Sequence, residues 1–67
     1  MNFREIGSII KKRRQSLGID QKDLSRLCGV AVHTVSNVEA GEGNPTVKTL
    51  SHIVEVLGME IRIGVKE

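Results

Sequence analysis

The sequence predicts a mainly α fold: four short helices built about a helix-turn-helix, then a C-terminal β-strand that pairs across a dimer. Three observations predict it. In DQKDLSRLCGVAVHTVSNVE, residues 20–39, Leu24 and Leu27 lie three apart, as do Val35 and Val38, with Gly29 and Val30 between the pairs. Two short amphipathic helices meeting at a glycine corner turn all five apolar side chains inward. Apolar residues also recur at helical spacing on both sides of this stretch. Finally, Met59, Ile61, Ile63 and Val65 alternate with Glu60, Arg62 and Gly64, which is the period of a strand. Residues 1–67 read as one domain, with helices over about 3–17, 20–28, 31–40 and 46–57 and a strand over about 59–65.

Helix one carries Ile6, Ile9, Ile10 and Leu17 on one face, with Phe3 near its start and Gly18 as its C-cap. The run Lys11-Lys12-Arg13-Arg14 lies toward its end, where cations complement the helix dipole. Such a run is ordinarily a solvated face, but Lys12 and Arg13 are also candidates for phosphate contacts flanking a groove. The helical wheel sets Arg13 close to the apolar face, so its stem packs while its head reaches water. In helix two, Asp20 is the N-cap and Asp23 completes a capping box. Gln21, in the first turn, is either an ordinary polar residue or one that reaches a phosphate and braces a residue of helix three. Gly29 suits the corner because it adopts positive φ without a Cβ clash, and small Ser25 lets the next helix approach.

Helix three presents His33, Ser36, Asn37 and Ala40 outward, a short, uncharged, hydrogen-bonding surface of the kind that enters a DNA major groove. Ala31 is a poor N-cap, and Gly41 ends the helix. Glu42-Gly43-Asn44-Pro45 is a turn-forming loop whose amides suit a phosphate, weakened by Glu42. Thr46 caps helix four, whose stripe is Val47, Leu50, Ile53, Val54 and Leu57 before Gly58. Lys48 in its first turn opposes the dipole preference, which marks it as a phosphate-contact candidate. A lone strand leaves its backbone groups unpaired, and no second strand is visible in the sequence. Its partner is most simply the same strand of a second copy, antiparallel, with Met59, Ile61, Arg62, Ile63 and Val65 as the dimer interface. The alternative is a disordered tail.

Composition narrows the function. Sixty-seven residues support one small core. A net charge of +2 admits a polyanionic partner but equally describes an ordinary surface. The lone aromatic, Phe3, argues against binding single strands by base stacking. No 18-residue apolar run is present, and Phe3-Arg4-Glu5 opens no apolar signal segment, so no membrane association is expected. The single Cys28 excludes an internal disulfide and fits a reducing compartment; the expected location is the cytoplasm, at the nucleoid. Cys28 reads as a small, half-buried residue or, alternatively, a redox-sensing thiol. His33, His52 and Cys28 do not make a metal set, and no nucleophile–base arrangement is present, so neither metal, cofactor nor enzymatic activity is expected.

Gly7, Ile10, Arg14, Gly18, Gln21, Leu24, Ser25, Gly29, Val30, Val35, Glu39, Gly41, Pro45 and Leu50 together resemble the Xre-type (Cro and phage-repressor) helix-turn-helix family, over residues 6 to about 58. The piece Thr34–Glu39, followed by a short helix and a C-terminal strand, is most similar to HipB-type antitoxin regulators. The resemblance implies a lambda-repressor-like four-helix domain and an Arg14–Glu39 scaffold pair tying helix one to helix three. It implies a DNA-facing set of Gln21, Ala31, Val32, His33, Thr34, Ser36 and Asn37. Val32 lacks the amide that reads adenine in many members but can pack on a thymine methyl, leaving His33 and Asn37 as the polar readers. The function implied is a homodimeric, sequence-specific repressor of double-stranded DNA at a palindromic operator. The alternative implied is an antitoxin that restrains a HipA-type kinase toxin and uses DNA for autoregulation.

Overall fold

A computed structural model describes residues 2–67. Four helices follow in order: α1 (Phe3–Ser16), α2 (Gln21–Cys28), α3 (Val32–Glu39) and α4 (Val47–Val56). Each falls just inside its expected bounds, because the flanking residues act as caps. Asn2 accepts the Glu5 amide at the head of α1, and Thr46 accepts that of Thr49 at the head of α4. Asp20 and Asp23 exchange side-chain and backbone bonds in a full capping box at α2. Ala31 gives α3 no side-chain cap, as its methyl dictates.

The corner between α2 and α3 turns at Gly29, whose φ is +71°. Ser25 Oγ then donates to the Val30 carbonyl at 2.5 Å, pinning the turn from inside. Ile10, Leu24, Val35, Ile53 and Leu57 are fully buried, so every helix contributes to one core. α1 crosses α3 at Gly7, where an added Cβ would sit 2.2 Å from the Val38 carbonyl oxygen. Only a glycine permits that backbone-to-backbone approach.

Several apolar positions depart from the expected stripes. Leu27 is exposed rather than core: α2 turns Leu24 and Cys28, four apart, inward, and Leu27 falls beside that line. The buried line of α1 runs through Gly7, Ile10 and Arg14, which leaves Phe3, Ile9 and Leu17 partly open. Val47 is likewise exposed at the first turn of α4. The largest correction is the tail. Residues 59–65 form no strand, because the described residues hold no other strand for them to pair with. Met59 packs against the core and its N–H bonds the Val54 carbonyl at 2.9 Å, while Ile63 and Val65 stand in solvent.

Candidate nucleic-acid interface

The orientation of α3 is fixed by a polar clamp at its C-terminus. Glu39 is the last residue of α3, and its side chain is almost wholly inaccessible at 2% exposure. Arg14 reaches it from α1 with a two-pronged contact, Nε to Oε2 at 2.6 Å and Nη2 to Oε1 at 2.9 Å. The remaining prong, Nη1, donates to the Ile19 carbonyl at 2.9 Å, tying in the α1–α2 link. Gln21 Nε2 adds a bond to Glu39 Oε1 at 3.1 Å from the first turn of α2. One carboxylate thus gathers three helices, and bidentate charge-assisted bonds make the joint directional as well as strong. Burial pushes the Glu39 carboxyl up, but the bonds from Arg14 and Gln21 and the nearby charges of Arg14 and Lys11 outweigh it, so its pKa lies below the ordinary value. The bond to Glu39 holds Arg14 above its own ordinary value, against the opposing pull of burial.

With its C-terminus clamped and Val35 and Val38 buried, α3 shows the opposite side to solvent. Ala31, Val32, His33, Asn37 and Ala40 are exposed, and Thr34 and Ser36 are half-buried. No carboxylate is exposed on α3 itself, so repulsion of an anionic partner is confined to Glu42 at its edge. At its edge, Thr34 and Asn37 border a shallow cleft of about 160 Å³ shared with Glu42, Asn44 and Pro45 of the α3–α4 loop.

The sequence matches the Helix-turn-helix family over residues 10–63, from within α1 to the tail. The chain belongs to the helix-turn-helix family. It is 40% identical over 50 residues to an uncharacterized HTH-type transcriptional regulator of Haemophilus influenzae, covering 75% of this chain and 51% of that protein. Endothelial differentiation-related factor 1 of Homo sapiens is 31% identical over 58 residues, 87% of this chain and 39% of its own length. The ImmF control region 10 kDa protein of Bacillus phage phi105 is 25% identical over 63 residues, 94% of this chain and 70% of its own. The chain thus spans about half or less of the length of the first two. None of the three names an antitoxin, so the family is shown at its broad level and not at the HipB-type level.

Within this helix-turn-helix, α2 and α3 are the paired elements, and six of the seven expected DNA-facing residues share the open side of α3 and its cap. The seventh, Gln21, stands on α2 as a brace of Glu39. Lys12 and Lys48 are exposed on α1 and in the first turn of α4. Arg13 is also exposed on α1, and it makes a contact within the domain. Its Nε donates to the Leu57 carbonyl at 2.9 Å, satisfying a carbonyl at the end of α4 away from Lys48. That bond joins α1 to the end of α4. Asn44, which lines the cleft with Asn37, lies outside the expected site residues; its place in a Gly-Asn-Pro turn after α3 is the available signal. Among the described residues no helix is long and apolar enough to cross a membrane.

Proposed function

We propose that this chain is a sequence-specific regulator of transcription that binds double-stranded DNA as a homodimer, acting by binding and not by catalysis. In this reading α3 lies in the major groove, with Asn37 and His33 reading base edges and Val32 meeting a thymine methyl. Lys12 and Lys48 contact flanking phosphates, which set register without reading sequence. The observation that carries the proposal is the clamp: Arg14 and Gln21 fix Glu39, so α3 presents a preset, carboxylate-free polar face instead of folding onto its site. The names of the Haemophilus regulator and the phage control-region protein support a regulatory role.

Repression at a palindromic operator follows from the same reading. Two copies related by a two-fold axis place two α3 helices on one side of the duplex, with half-sites one helical turn apart, roughly 34 Å. The tail, which forms no strand among the described residues and leaves Ile63 and Val65 in solvent, is the segment we assign to dimerisation. The test is unbiased selection of bound duplexes from a random pool by the purified full chain. The expected product is an inverted repeat with that spacing. Recovery of unselected sequence at every salt concentration would remove the specific-regulator reading.

A further inference from the structure

On the side of the molecule formed by α1, α4 and the tail, an apolar groove of about 430 Å³ stands open, lined in part by Phe3, Ile9, Val47, Met59 and Ile61. The tail that edges this groove carries apolar surface that its own domain does not cover: Ile63 is 91% exposed and Val65 96%. On the tail's other face Arg62 Nε donates to Glu60 Oε1 at 2.7 Å, an exposed contact between residues two apart. We infer that the tail of a second copy fills this groove, the two tails pairing antiparallel with Ile61 on the two-fold axis. Glu60 then faces Arg62 of the second copy, and Met59 faces Ile63 of the second copy. The inference rests on the homodimer proposed above and names its register.

The choice of register follows from charge and burial. Directly opposed residues on antiparallel strands share a face, so pairing must set apolar positions against apolar ones. With Glu60 on the axis two carboxylates oppose each other, and with Arg62 there two guanidiniums do; like charges in direct opposition destabilise a pair. Gly64 on the axis sets Arg62 against Lys66. Ile63 on the axis sets Glu67 beside Met59 at the apolar groove, where a carboxylate loses its water. Met59 on the axis runs the ladder into Leu57 at the end of α4. Ile61 on the axis sets opposite charges together twice and pairs Met59 with Ile63 on either side of it, with Val65 beyond the ladder. It also supplies partners for the tail's backbone groups, which have no ladder in the single chain.

The test combines sedimentation of the full chain with disulfide trapping. In a Cys28→Ala background, single cysteines are placed by Ile61→Cys or Ile63→Cys, and covalent dimer is followed under mild oxidation. A residue on the axis meets its own copy, so Ile61→Cys is expected to trap dimer many times faster than Ile63→Cys. Because both sites lie in the tail outside the helices, circular dichroism is expected to show unchanged helix content. Charge reversal gives an independent arm: Glu60→Arg should weaken dimerisation roughly tenfold, and adding Arg62→Glu should restore it. Faster trapping at Ile63, or no trapping in a chain that sediments as a dimer, overturns the register while the homodimer stands. A chain that sediments as a monomer at every concentration overturns the homodimer itself, and this inference with it.

Discussion

Arg14 and Glu39 stand 25 positions apart in sequence yet meet through two parallel hydrogen bonds, with both side chains at or below 10% exposure. Removing one member strands the other as a buried, unpaired charge. Arg14→Met or Glu39→Leu alone is therefore expected to cost about 3–5 kcal/mol, close to the whole stability of a domain this small. The double replacement puts two apolar groups in the same space and should recover much of that loss. Urea unfolding of the four proteins checks it, and losses that simply add would show the two side chains to be uncoupled.

The same pair sets the response to acid. Glu39 has a folded pKa below its ordinary 4.5, so the unfolded chain takes up a proton more readily than the folded one. The stabilisation is fully present above 4.5 and is lost as pH falls through the lower folded value. Asp20 shifts the same way, chiefly through the Asp23 amide it accepts, and adds to the slope at slightly lower pH. Arg14 stays protonated throughout this window and contributes no slope of its own. Urea midpoints taken from pH 7 downward should be flat at first and then fall below about 4.5. Glu39→Gln should start less stable and show a shallower fall; an equal acid slope in both proteins would place the titrating group elsewhere.

Gly7 offers a contrast between two kinds of glycine. It is helical, where alanine is the better former by about 1 kcal/mol. The contact decides the outcome, since the added Cβ would meet the Val38 carbonyl oxygen at 2.2 Å and that of Glu39 at 2.8 Å, both backbone. Gly7→Ala is expected to lose about 3 kcal/mol and to displace α3. Gly18→Ala has a positive φ but open space around it, and should lose roughly 1–2 kcal/mol from backbone strain alone. Thermal or urea unfolding ranks the two, and a smaller loss at Gly7 would mean that α1 and α3 separate cheaply.

Local rules made the helix-turn-helix legible because its signals are short-range. The Asp20–Asp23 capping box, the left-handed Gly29 and the uncapped Ala31 are all decided within four residues, and the structure carries each of them. What the sequence obscured was the composition of the contact faces. The buried line of α1 holds a glycine and an arginine, so counting apolar residues pointed to Ile9 and Leu17 instead. The three-residue spacing turns Leu27 inward, whereas the core follows the four-residue step from Leu24 to Cys28. Arg13 looked like a free cation because its acceptor, the Leu57 carbonyl, is backbone 44 residues away. The tail's alternation is plain, yet a strand needs a second strand beside it, and the described residues hold none.

Side chains on and around α3 should separate by what their loss does to DNA binding. Asn37 is exposed on α3 and borders the cleft with Glu42 and Asn44. Asn37→Ala is expected to cost about 1–3 kcal/mol on the selected duplex and little on random duplex. Lys48 carries charge without base geometry, so Lys48→Ala should weaken both duplexes alike and lower the salt slope by about one. Arg13→Ala should leave that slope unchanged, because its donor serves the Leu57 carbonyl, and should instead lower stability by about 1 kcal/mol. Fluorescence anisotropy across a salt series, with thermal unfolding alongside, distinguishes the three. An equal loss on selected and random duplex for Asn37→Ala would move base reading off this residue, and a reduced salt slope for Arg13→Ala would return Arg13 to the phosphate-contacting set.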